Sequence, residues 1–114
     1  LRIIELATDR ARKNEAFSNP FRALLLAIIV SKKSASWNDV KNRLEVAWGE
    51  FNPNTLVFHL NWLIDAGLVE KVPMDDRYVY RPTKLGVKRT NDEASELLKE
   101  LGVQHGRRKA QHQD

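Results

Sequence analysis

Asn54, Thr55, Phe58 and Asn61 are the residues of this 114-residue chain whose types and spacing point to the most definite chemistry. Residues three and four apart share a face of an α-helix, so Asn54, Phe58 and Asn61 line up, with Thr55 to one side. A side-chain amide pairs with the edge of adenine, a threonine donates, accepts or touches a thymine methyl, and a phenylalanine packs on that methyl or against the sugar-phosphate backbone. The same segment carries an apolar stripe, Leu56, Leu60, Leu63 and Ile64, which leaves those four residues with Trp62 and Asp65 on the opposite face. Asn54 and Thr55 also suit the first turn of any helix, so residue type alone leaves base reading and helix initiation as equal alternatives.

Local signals mark the elements that must hold this face. Asn52 caps and Pro53 opens a helix over 53–66, stopped by Gly67. Asn19 and Pro20 give the same signal for an apolar helix over 20–31. Between them, Ser36 with Asp39 resembles a capping box, and Trp37, Val40, Leu44, Ala47 and Trp48 follow at helical spacing until Gly49. From Leu68 the period becomes extended: residues 68–72 form a strand-like run, 73–76 supply a turn, and 77–81 alternate, which makes a hairpin. Thr83 after Pro82 caps a last helix with Ala94, Leu97, Leu98 and Leu101 as its apolar edge and Gly102 as terminator. Ahead of all this, Leu1, Ile4, Ala7 and Ala11 form a narrow stripe among charged residues. The expected fold is mainly α with a small β-hairpin, a winged helix-turn-helix with flanking N- and C-terminal helices. Its expected parts are an N-terminal flanking helix (1–18), a winged helix-turn-helix domain (19–86), a C-terminal dimerisation helix (87–102) and a basic flexible tail (103–114).

Composition narrows the function. At 42% hydrophobic the chain has enough apolar residues for a packed core, while the apolar run over 23–30 is well short of the roughly 20 residues a membrane span needs. No leader pattern opens the chain, so a cytoplasmic, nucleoid-associated location is expected. The absence of cysteine rules out disulfides, thiolate metal sites and a cysteine nucleophile. No phosphate-binding glycine loop or catalytic triad spacing is present, and His59, His105 and His112 make no plausible ligand set, so neither an enzyme nor a metal or other cofactor is expected. His59, beside the apolar stripe, reads as a partly buried, hydrogen-bonded side chain. Tyr78 and Tyr80 read as core or sheet-packing residues. The net charge of +4 suggests a polyanionic partner, yet the segment 53–66 holds no Lys or Arg. Phosphate contacts are therefore expected around that helix, from Lys32, Lys33, Ser36, Asn52, Lys71, Arg77, Arg81 and Lys84.

Several short segments together carry a family resemblance. Asn19-Pro20-Phe21-Arg22 leads an apolar helix, and Trp37-Asn38-Asp39-Val40 opens the second. Asn54-Thr55-Leu56-Val57-Phe58-His59-Leu60 runs into Leu63, Ala66-Gly67-Leu68-Val69 follows, and Tyr80-Arg81-Pro82-Thr83 with Gly86 closes the motif. In this order the chain resembles winged helix-turn-helix regulators of the ArsR-like superfamily, especially archaeal-type members. The resemblance implies a dimeric transcription factor that binds double-stranded DNA, with the third helix in the major groove and the hairpin wing along the backbone. It also implies dimerisation through flanking helices, here Leu1, Ile4, Ala7, Leu97, Leu98 and Leu101, the lesser alternative being that these residues cover their own core. An unidentified small-molecule effector is compatible with this reading. Two rivals use the same fold differently. One is a protein-protein interaction module of the transcription machinery, with Phe58, Trp62 and the Asp75-Asp76 wing tip as its surface. The other is a non-specific chromatin architectural protein.

Overall fold

The helix that follows Asn19 is buried on every side, and its neighbours are arranged to cover it. A computed structural model describes Ile3, Ile4 and residues 17–102 in full, and the backbone alone for 103–113. Helix α1 spans Pro20–Lys32, and every residue from 21 to 30 is buried. The Asn19 side chain accepts a hydrogen bond from the Arg22 backbone N–H at 3.1 Å, as the Asn-Pro signal predicts. A helix without a polar face must sit at the centre. Here α2 (Trp37–Trp48), α3 (Pro53–Asp65), the sheet and α4 (Lys84–Gln113) pack around it.

Each start signal read from the sequence is used. Ser36 Oγ accepts from the Asp39 backbone N–H at 3.2 Å while Asp39 Oδ2 accepts from the Ser36 N–H at 3.1 Å, which completes the capping box of α2. That Ser36 backbone hydrogen bond, aided by the Ser36 hydroxyl, Lys32 and Arg43, holds the Asp39 carboxyl below its ordinary range. Asn52 Oδ1 accepts from the Asn54 N–H at 2.8 Å and caps α3. The positive-φ glycines Gly49 and Gly67 follow α2 and α3.

The expected hairpin is part of a three-stranded antiparallel sheet. Strand β1 (Ala35–Ser36) pairs with β3 (Arg77–Pro82), which pairs in turn with β2 (Val69–Met74), giving the order β1-β3-β2. Two residues are too few to show an alternating pattern, and Ser36 is also a helix cap, so β1 leaves no strand signal of its own. The hairpin extends past Pro73, which lies opposite Tyr78 on an outer strand, where a missing N–H is tolerated. Its turn is two residues, Asp75 and Asp76, between the paired Met74 and Arg77, with Asp75 at φ 58°. The architecture is mainly α with this small sheet, a winged helix.

Leu1 and Ala7, with most of the expected helix over 1–18, lie outside the described residues; Ile3 and Ile4 are helical and Ile3 is buried in the core. Helix α4 runs through position 86 without interruption, contains one non-helical residue at Ala94 (φ −143°, ψ 35°), and continues in its backbone through the segment read as a tail. The side chains of that segment lie outside the described residues.

The exit from β3 is buckled to the turn after α3. Thr83 Oγ1 donates to the Gly67 carbonyl at 2.6 Å and accepts from the Gly86 N–H at 3.0 Å, while the Thr83 N–H donates to the Leu68 carbonyl at 3.1 Å. A Cβ at Gly86 would run into the Leu68 carbonyl, so only glycine lets α4 approach this closely. Gly86→Ala should therefore destabilise the fold by roughly 1–3 kcal/mol, measured as a lower midpoint in urea with an unchanged slope. Gly102→Ala, which has open space around its Cβ, is the matched control and should leave the midpoint unchanged or slightly raised.

Candidate nucleic-acid interface

Helix α3 divides cleanly between core and solvent. Leu56, His59, Leu60 and Leu63 are buried and Ile64 packs against the core, while Asn54, Thr55, Phe58 and Asn61 are all exposed, Phe58 at 63%. The four side chains read as base-contacting are thus brought onto one accessible surface. Val57, beside the stripe on the helical wheel, is exposed as well. It was missed because valine there is equally consistent with a core edge.

Aromatic rings fix where α3 sits. Phe21 of α1 meets Trp48 and Phe51 edge-on at 5.3 Å, and the His59 ring at 5.5 Å. His59 in turn meets Phe58 edge-on at 5.1 Å. The chain of rings connects α1, the end of α2, the loop before α3 and the first turns of α3. Edge-on pairs of this kind contribute about 0.5–1.5 kcal/mol each beyond their buried area.

Arg22 locks the other end. Its guanidinium lies 3.7 Å from the centroid of Trp62, and one of its terminal nitrogens donates to Ser18 Oγ at 2.7 Å. Burial to 7% exposure lowers the pKa of this arginine from its ordinary value, an environment in which contact with an indole face offsets part of the lost hydration. This corrects the expectation that Trp62 is an exposed aromatic available to a protein partner. It is half-buried and occupied by a cation from α1. Arg22 belongs to the Asn19-Pro20-Phe21-Arg22 segment, but its contact with Trp62 had no recognisable signal in the sequence, because the two are forty positions apart.

His59 is buried at 8% exposure, as expected, and the Nδ1 atom of its ring has no hydrogen-bond partner, so a hydrogen bond from this ring could come only through Nε2. Burial, and secondly the nearby Arg22 charge, lower its pKa, so the folded chain favours neutral imidazole.

The expected phosphate contacts fall into three groups. Ser36 and Asn52 sit at the N-termini of α2 and α3, where the helix ends favour anions; their capping oxygens are used as acceptors, which leaves the Ser36 O–H and the Asn52 amide N–H groups as donors. Lys32 is half-buried in the last turn of α1, and exposed Lys33 follows it at φ 70°. On the wing, Lys71 lies 4.4 Å from the centroid of Tyr78 on the neighbouring strand, and Arg81 faces its register partner Glu70 at 3.7 Å. Arg77 and Lys84 are exposed. Tyr80 is buried, and Tyr78, 51% exposed, packs under Lys71 of the neighbouring strand, so of the two tyrosines expected in the core or packed on the sheet, one is found in each place.

The residues read as a dimer interface separate too. Leu97 and Leu101 are enclosed in the chain's own core, Leu98 is half-buried against it, and Ile4 is half-buried. The bare surface expected at Leu97 and Leu101 is therefore absent, because the apolar edge of α4 covers α1. Among the described residues, no cluster of three or more His, Cys, Asp or Glu could hold a metal, and no helix is long and apolar enough to cross a membrane.

No protein-family model and no curated protein matches the sequence. The fold is similar to the crystal structure of SSV1 F-93, with a TM-score of 0.57 and 15% identity over 74% of this chain and 88% of that one.

The sign of the His59 effect follows from linkage. The unfolded chain takes up a proton near the ordinary value of 6.5, and the folded chain does so only at lower pH. Stability contributed by neutral His59 is present above that value and is lost as pH falls below it. Urea midpoints measured from pH 7.5 to 5 should fall, and His59→Gln should flatten that slope. An unchanged slope in the variant would assign the pH dependence elsewhere.

Proposed function

We propose that this chain is a sequence-specific double-stranded DNA-binding transcriptional regulator that acts as a homodimer. In this reading α3 enters the major groove and the β2-β3 wing lies along the backbone. The observation that carries it is the exposed row of Asn54, Thr55, Phe58 and Asn61 on a helix whose other face is fixed by ring contacts and by Arg22. Base reading needs such a row held rigidly at known positions, since phosphate contacts set register and base-edge contacts set sequence. The similarity to a known winged fold supports the geometry, and the residue motifs support a place among ArsR-like, archaeal-type regulators.

Affinity would come from the surround: the amino ends of α2 and α3 at Ser36 and Asn52, the end of α1 at Lys32 and Lys33, and Lys71, Arg77, Arg81 and Lys84 on the wing and its exit. Asp75 and Asp76 would hold the wing tip off the phosphates. Dimerisation would use the half-buried Leu98 and Ile4, with Leu1 and Ala7 from the N-terminal segment, and would place two reading helices on half-sites about one duplex turn apart. The protein-docking alternative loses Trp62 to Arg22, which leaves Phe58 as its remaining anchor on α3.

Anisotropy titrations against duplexes selected from random sequence test the proposal. Asn54→Ala should cost roughly 1–3 kcal/mol on the preferred site and little on others, whereas Arg77→Ala should weaken all duplexes alike and lower the salt slope by about one. Absence of duplex binding even at about 50 mM salt would refute the proposal, because electrostatic binding is strongest there. Sedimentation of the free chain should give twice the 13.2 kDa of one copy.

A further inference from the structure

We infer that α3 selects A·T base pairs and reads them partly through the 5-methyl groups of thymine, with Val57 acting beside Phe58 as a specificity residue. This rests on the proposed placement of α3 in the major groove and adds the class of sequence it accepts. Guanine presents two acceptors there, and the side chains that read them are Arg and Lys. Helix α3, Pro53–Asp65, contains neither. Arg22, which contacts the helix from α1, is buried with its guanidinium over Trp62.

What α3 offers instead matches the two partners of an A·T pair. The exposed amides of Asn54 and Asn61 can each donate to N7 and accept from N6 of adenine. At 100° per residue they lie within about 20° of one another on the helix circumference, with Phe58 roughly 40° to one side of Asn54 and Val57 roughly 60° to the other. An amide row is thus bordered by apolar groups on both sides, and these are exposed at 63% and 42%. The thymine methyl is the one apolar group that a base pair presents in the major groove. Burying Val57 and Phe58 against it removes apolar surface from water that nothing within the chain covers. The Phe58 ring, held edge-on to His59 at 5.1 Å, is already constrained and loses little freedom on contact.

Asp65 is the one charged residue of α3 and could accept from the cytosine amino group. It is the last residue of the helix, about 16 Å along the axis from Asn54, whereas the amino-terminal turns are those that reach bases in this class of docking. Near a phosphate its charge would repel, so it limits how far the helix enters.

The test begins with selection of duplexes by the full chain from a random pool, where A·T-rich half-sites are expected. Replacing thymine by deoxyuridine within the selected site removes the methyl and keeps every hydrogen-bonding group. Each methyl in contact should cost about fourfold in affinity. Val57→Ala and Phe58→Ala should each bring the thymine-to-uracil ratio closer to one, while Arg77→Ala should lower affinity and leave the ratio intact. Phe58→Leu, which keeps an apolar group, should retain part of the ratio and guards against a folding defect in Phe58→Ala. Selected sites rich in G·C, or equal binding of the thymine and uracil duplexes, would overturn the inference while leaving sequence-specific DNA binding in place. Failure to bind any duplex at low salt would overturn both together.

Discussion

Burial of α1 on all sides is the constraint from which the remaining arrangement follows. A thirteen-residue helix with no polar face cannot lie on a surface, so two further helices, a sheet and the long last helix must each contribute an apolar side to cover it. That requirement explains why α4 spends Leu97 and Leu101 inward and why Ile3 joins the same core. It also explains the unusual treatment of Arg22. A charge at the third position of a buried helix needs partners, and Trp62 with Ser18 supplies them. The contact then serves a second purpose, because it ties the far end of α3 to the centre of the molecule.

The outcome is a division of labour by charge. The helix with the exposed row is free of Lys and Arg, while Lys32 and Lys33 stand at the end of α1 and Lys71, Arg77 and Arg81 along the sheet. Some of them are already engaged within the chain, Lys71 over Tyr78 and Arg81 beside Glu70, contacts exposed enough to exchange readily for a phosphate. The capping residues Ser36 and Asn52 behave similarly: each spends an acceptor on a backbone amide and keeps its donors. In the proposed mode of binding, sequence preference and overall affinity would fall to different side chains, so that either could be altered by substitution with little effect on the other.

The helices were legible because their beginnings are local. Asn-Pro at α1 and α3 and the Ser36-Asp39 pair at α2 act over three or four residues, and glycine marks the ends of α2 and α3 equally locally. The exposed face of α3 was legible for the same reason, since period and residue type suffice to divide a helix. What could not be read depends on distant partners. Strand β1 exists through pairing with β3, the covering of Trp62 depends on Arg22, and Tyr78 packs on the sheet through Lys71 of the neighbouring strand. The apolar edge of α4 was visible, but whether it met its own chain or another copy depended on the shape of the core. The unbonded Nδ1 of His59 is likewise a property of packing, invisible in a pattern.

Pro73 stands opposite Tyr78 on β2, and β2 is an outer strand of the sheet. A strand in that position offers its unpaired backbone groups to any neighbouring extended chain, the route by which sheets grow into aggregates. Proline removes one of those donors, and the adjoining Asp75-Asp76 turn places two negative charges at the end of the same strand. Copies crowded side by side would meet like charge and a gap in the hydrogen-bonding ladder, so the wing can stay extended and accessible without becoming a template for self-association.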